Sequence, residues 1–148
     1  MAPKIQEWLE DWLESLRDPA GAEIKYREKL ETHPEDTTAL NALASTLSDQ
    51  GKHNESAKVY FQLIYIDQND SEAWNGYGEE LDALGEYEQA EIAHRKAITI
   101  DSTEYHYHIC LGDTLSEQGK YQDAEDQYLS ATELMREDHP AQTVVLND

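Results

Sequence analysis

Gly51, Gly85 and Gly119 stand 34 residues apart, and the same spacing recurs all around them. Leu43, Tyr77 and Leu111 fall in one column, Ala44, Gly78 and Gly112 in the next, and Leu47, Leu81 and Leu115 further on. After each glycine come His53, Tyr87 and Tyr121, then Ser56, Ala90 and Ala124, then Tyr60, His94 and Tyr128. Leu63, Ala97 and Ala131, and then Ile66, Ile100 and Leu134, complete the register. A fixed period of this length marks a stacked supersecondary unit: one copy cannot bury its apolar face, but neighbours can.

The columns have a physical reading. A glycine that closes a helix can take the left-handed backbone conformation needed there. The small residues of the first half (Ala44, Gly78, Gly112) and of the second half (Ser56, Ala90, Ala124) allow two helices to approach closely. Asp36 and Asp70 stand where helix N-caps are needed, and Ser102 or Thr103 fills that place in the last unit. The expected helices run over 4–16, 20–33, 37–50, 54–67, 71–84, 88–100, 105–118 and 121–137.

The run Trp74, Tyr77, Gly78, Leu81, Gly85, Tyr87, Ala90, Ala97 resembles the tetratricopeptide repeat. The resemblance covers three repeats, 37–70, 71–104 and 105–138. A degenerate copy over 3–36 precedes them, with Ala22, Tyr26, Leu30 and Pro34 lying 34 residues before Ser56, Tyr60, Ile64 and Gln68. There Glu10 replaces the small residue and Arg17 the turn glycine, so its first helix is expected to pack differently. The resemblance implies an all-α, right-handed solenoid over 1–138, with a concave face lined by the first helix of each pair. Leu30, Ile64, Ile98 and Thr132 form the column that meets the next repeat, and the polar Thr132 marks the end of the array. His139 to Asp148, with Pro140 and the Val144-Val145-Leu146 patch, reads as a frayed tail or the edge of a longer chain.

Charge excludes several functions. There are 32 acidic residues against 11 Lys and Arg, a formal net charge of -21, which is the wrong sign for phosphate backbones or anionic bilayers. It suits a basic partner, or the acidic surface of a halophilic protein. A single cysteine, Cys110, rules out an intrachain disulfide and points to a reducing, cytoplasmic setting. Glu7, Glu10 and Asp11 interrupt the only N-terminal apolar pattern, so no signal peptide is expected, and nothing approaches the ~20 apolar residues of a membrane span.

No catalytic motif is present, and no cofactor is expected. His106 and Cys110 lie i, i+4 on one helix face with Asp113 a turn further on, but no further ligand emerges from the sequence, so no metal is assigned. His94 stands in an aromatic column and reads as a packed core residue. Ile5, Trp8, Leu9, Trp12, Leu13 and Leu16 form an apolar stripe on the first helix. Its simplest reading is a core contact; its sharper one is an exposed hydrophobic anchor, with Trp8 or Trp12 engaging a partner or a second copy in a homodimer.

In the family, five positions of each first helix face the concave surface. Carried over, these are Thr38, Asn41, Ser45, Ser48 and Asp49, then Glu72, Asn75, Glu79, Asp82 and Ala83, then His106, Ile109, Asp113, Ser116 and Glu117. Six are acidic and none is Lys or Arg. Members that clamp acidic C-termini use cations there, so that function is not expected. The expected function is a protein-interaction module, an adaptor or scaffold taking a basic or neutral partner segment. Asn41 and Asn75 would grip its backbone and the carboxylates its cations. The alternatives are a small acidic secretion-type chaperone and a self-associating array.

Overall fold

The first helices of two repeats start on aspartate side-chain caps. Asp36 and Asp70 accept hydrogen bonds from the backbone N–H of Ala39 and Ala73, each at 3.0 Å, three residues on. The computed structural model describes residues 2–138, and all regular structure among the described residues is helical. The elements are α1 (Ala2–Arg17), α2 (Pro19–Thr32), α3 (Thr37–Asp49), α4 (His53–Ile66), α5 (Ser71–Ala83), α6 (Tyr87–Ile100), α7 (Tyr105–Glu117) and α8 (Tyr121–Asp138). They form two compact units, Met1–Gln68 and Asn69–Asp148. The tail from His139 onward lies outside the described residues.

One cap differs from expectation. The last repeat starts on Glu104, whose carboxylate accepts from His106 N–H at 3.2 Å, rather than on Ser102 or Thr103. Those two residues precede the helix because Asp101 captures Thr103 in a local turn, taking its N–H at 3.0 Å and its hydroxyl at 2.7 Å.

The expected glycine turns are present. Gly51, Gly85 and Gly119 have φ of 73°, 76° and 75°. Beyond each, an N–H reaches back to the helix it closes: Lys52 to Leu47, Glu86 to Leu81 and Lys120 to Leu115, all at 2.9 Å. Helix pairs then cross on small residues, with Ala44, Ser56 and Ala90 fully buried and Ala124 nearly so. Ser56 Oγ satisfies itself by donating to the Ala44 carbonyl at 2.8 Å. In the second unit a Cβ on Gly78 would lie 2.6 Å from the His94 ring, and one on Gly112 would lie 2.6 Å from the Tyr128 ring. These glycines make room for the ring of the partner helix.

The first hairpin departs from the pattern. Its turn is Asp18-Pro19, with Asp18 capping α2 through Gly21 N–H at 3.0 Å. The apolar stripe of α1 is exposed throughout: Ile5 by 73%, Trp8 by 63% and Trp12 by 49%. The expectation that this stripe forms core is therefore corrected. Glu10 in place of a small residue and Arg17 in place of glycine leave α1 without a close crossing. Among the residues of α2 only Ala22 is buried.

One polar device recurs after two periods. In the first unit Glu23 receives Lys52 at 2.8 Å, Arg27 at 2.9 Å and Gln50 at 3.0 Å. In the second, 68 residues on, Glu91 receives Lys120, Arg95 and Gln118 at 2.8, 2.9 and 2.9 Å. The Lys52 hydrogen bond leads the interactions that hold the Glu23 carboxyl at about 2, against the opposing effect of burial. Burial pushes Glu91 upward, but Lys120, Gln118 and Arg95 outweigh it and hold it at about 2 as well. One period on from the first set, the chain has Ala57, Phe61, Leu84 and Glu86, which cannot make this network.

Ile98 packs against Leu111, Leu115 and Ala124, whereas Thr132 is exposed and turns its hydroxyl to the Tyr128 carbonyl at 2.8 Å.

Candidate functional site

In the second unit α5 and α7 lie side by side, and their shared face opens on a cavity of ≈ 310 Å³. Glu79, Asp82, Tyr87, Cys110, Asp113, Thr114 and Glu117 line it. Four of the seven are carboxylates. The ion pairs of Lys25, Arg27, Lys29, Lys52, Arg95 and Lys120 with Asp11, Glu23, Asp36, Glu55 and Glu91 all lie outside this cavity. A concave surface of one charge sign focuses its potential.

Below the cavity floor lies a polar network that the sequence reading did not foresee. The His94 ring is fully buried, with Nδ1 2.8 Å from Asn75 Oδ1 and Nε2 2.9 Å from Asp82 Oδ2. The Thr114 hydroxyl donates to Asp82 Oδ2 at 2.8 Å. Asn75 Nδ2 lies 3.7 Å from Cys110 Sγ. Among the described residues no buried side-chain polar atom is left without a partner, so the network is closed.

This network corrects one expected role. Asn75 is only 3% exposed and its amide is committed to His94 and Cys110, so it does not present hydrogen bonds to a ligand backbone. Asp82 is held from within by His94 and Thr114 and turns only part of its carboxylate to the cavity. The signal in the sequence was a paired departure. His94 replaces the tyrosine of its column (Tyr60, Tyr128) in the same repeat where Asp82 replaces a serine (Ser48, Ser116).

The remaining expected positions divide by unit. Asn41, Ser45 and Asp49 are exposed on α3 of the first unit. In the second, Glu72 and Glu79 are exposed on α5, and His106, Asp113 and Glu117 on α7, with Ile109 half-buried. Glu79, Asp82, Asp113 and Glu117 come together in the cavity, while Glu72 and Ile109 do not line it. Tyr128 supports Asp113 from α8, donating its hydroxyl at 2.6 Å. That bond, with burial and the Asp113 charge behind it, pushes the Tyr128 hydroxyl up to about 12. Trp8 and Trp12 lie in the other unit, on exposed α1.

Cys110 and His106 share a face of α7, as their spacing requires, and α5 brings Glu79 to both. Burial first, then the charges of Glu79 and Asp113, push the Cys110 thiol up to about 12. Such a thiol is not an activated nucleophile at neutral pH.

Comparison with known proteins agrees with this architecture. Family models described as "Tetratricopeptide repeat" match residues 39–73 and 71–104. A search of curated proteins finds no match. Among solved structures, MamA 41-end from Desulfovibrio magneticus RS-1 is similar over 86% of this chain and 72% of its own, with 21% identity and a TM-score of 0.80. A crystal structure of MamA is similar over 82% and 71%, with 21% identity and a TM-score of 0.77. The type III secretion translocator chaperone SycD of Yersinia enterocolitica, in an alternative dimer, is similar over 70% and 79%, with 25% identity and a TM-score of 0.67. No described helix is long and apolar enough to cross a membrane.

Proposed function

Because the chain belongs to the tetratricopeptide-repeat family, we propose that it is a non-catalytic protein-interaction module whose acidic α5–α7 face takes a basic or neutral segment of a partner protein. The observation that carries this reading is the grouping of Glu79, Asp82, Asp113 and Glu117 around one cavity with no Lys or Arg among its lining residues. Carboxylates so placed attract and orient Lys or Arg side chains, acting mainly on encounter rate and specificity. Asn41, Ser45 and Asp49 carry the same proposal in the first unit, where Asn41 is exposed and able to bond a peptide backbone. The family fold is typically non-enzymatic, and the raised Cys110 thiol agrees with a binding role. The single cysteine supports a cytoplasmic setting.

The likeness to SycD favours a second reading, a secretion-type chaperone that holds a partly unfolded client. The exposed α1 stripe favours a third, self-association through Trp8 or Trp12. One experiment separates the three. The full chain is used to capture partners from native lysate, and its mass is measured by sedimentation. The leading reading expects a folded partner lost with Glu79→Lys and Asp113→Lys. A client that arrives unfolded supports the chaperone, and a dimer abolished by Trp8→Ala supports self-association.

A further inference from the structure

His106 and Cys110 are one helical turn apart on α7, and Glu79 reaches them from α5. Their donor atoms form a small triangle: imidazole Nε2 lies 3.2 Å from carboxylate Oε1, thiol Sγ lies 3.5 Å from Nε2, and Sγ lies 3.6 Å from Oε1. With Zn–S near ~2.3 Å and Zn–N and Zn–O near ~2.0–2.1 Å, tetrahedral coordination sets donor–donor edges of about 3.3–3.6 Å. All three observed edges lie within about 0.2 Å of that range, so one ion could reach all three donor atoms as they stand.

The setting fits the same ion. Two of the donors, Cys110 and Glu79, open onto the acidic cavity, which leaves a fourth position facing solvent and raises the local concentration of cations. Behind the sulfur, Asn75 Nδ2 at 3.7 Å supplies an outer hydrogen bond of the kind that orients a thiolate ligand. A mixed sulfur, nitrogen and oxygen set selects a zinc-class ion over the hard cations magnesium and calcium.

We propose that Glu79, His106 and Cys110 form a three-ligand site for a zinc-class divalent cation, with the fourth position open toward the α5–α7 cavity. On binding, the Cys110 S–H bond breaks, its proton leaves to solvent, and the sulfur lone pair forms the metal–sulfur bond. His106 binds as neutral imidazole through Nε2 and Glu79 as carboxylate, with no change of oxidation state. The site goes beyond the partner-binding reading and does not depend on it, since it is tested with metal alone.

The test is titration of the full chain with Co²⁺ under a phosphine reductant. The expected result is one equivalent bound, with a thiolate-to-cobalt charge-transfer band in the near ultraviolet, strong visible bands of four-coordinate cobalt, and displacement of both by Zn²⁺. Cys110→Ser should abolish the near-ultraviolet band. Glu79→Gln and His106→Asn change exposed residues, so the fold should survive as judged by circular dichroism, while affinity falls at least ~10-fold. Two results would overturn the proposal. One is weak binding with only the pale spectrum of six-coordinate cobalt, the same in Cys110→Ser, which is carboxylate binding alone. The other is a charge-transfer band of unchanged affinity in Glu79→Gln and His106→Asn.

Discussion

The α1–α2 and α5–α6 hairpins each pair two helices of about four turns, yet the first leaves its apolar stripe in water and the second buries its small-residue crossing. Apolar content does not separate them, since α1 alone carries Ile5, two tryptophans and three leucines. The difference lies at two positions. Gly85 lets the chain leave α5 at φ 76°, and Gly78 lets the His94 ring lie against the α5 backbone. At the matching places the first hairpin has Arg17 and Glu10. Close approach of backbones, more than the number of apolar side chains, decides which helix face a repeat buries.

The largest effect should come from testing burial on the two sides of this comparison. Leu115 is fully buried and Leu9 is 45% exposed. Leu115→Ala should cost ~2–5 kcal/mol through lost burial and a residual cavity, whereas Leu9→Ala should stay within ~0.5 kcal/mol. Urea denaturation of both variants checks the contrast, and equal losses would mean that α1 packs into the core after all.

A smaller effect separates the two packed glycines. Gly78→Ala should cost ~1–3 kcal/mol by overpacking, because the new Cβ meets a ring with no solvent beside it that is bonded on both nitrogens. Gly112→Ala should cost less, because the Tyr128 ring is 37% exposed and can swing outward. Thermal midpoints of the pair report the difference.

The turn glycines come next. A Cβ on Gly85 or Gly119 meets nothing within 4 Å, so any penalty there is conformational. Gly85→Val and Gly119→Val should each cost ~1–2 kcal/mol or more, as a β-branched residue is disfavoured at positive φ. Arg17→Gly in the first hairpin should recover nothing, because α1 still lacks the small crossing residue. Unchanged thermal midpoints in both valine variants would contradict the turn assignment.

The acid response reports on the Glu23 and Glu91 networks, one in each unit. Glu23 and Glu91 have folded-state values near 2 against 4.5 when free. Their contribution is therefore fully present above about 4.5 and lost as pH falls through about 2. Glu23→Gln and Glu91→Gln should each lower stability at neutral pH by about 1–2 kcal/mol, a figure reduced for the half-exposed Lys and Arg partners. Their gap from the parent protein should close as pH falls from 4.5 toward 2. Urea midpoints across that range provide the check.

Much of the fold was legible because its determinants are periodic. Glycines at one turn position, small residues at one crossing and aspartates at two caps repeat at a fixed spacing, so each repeat corroborates the others. The first hairpin was flagged by its departures at Glu10 and Arg17, but their consequence was not: whether a stripe of tryptophans finds a partner surface depends on tertiary geometry. The site was legible in its charge and less so in its accessibility. Asn41 and Asn75 occupy one column, yet only Asn75 is drawn inward, because His94 two helical turns into α6 requires an amide partner. The approach of Glu79 to His106 and Cys110 likewise crosses from one repeat to the next, at a separation that no local spacing rule encodes.

Association kinetics decide whether the acidic α5–α7 face binds a basic segment. Extended peptides that differ only in carrying Lys or Glu are passed over the immobilised full chain at ~0.01 and ~1 M salt, where the Debye length falls from ~30 Å to ~3 Å. The Lys peptides should bind, their association rate should drop at high salt, and Glu79→Lys with Asp113→Lys should lower it further while dissociation changes little. Preferential binding of the Glu peptides, or Lys-peptide binding that survives both reversals and is lost in Trp8→Ala, would contradict this assignment and move the site to α1.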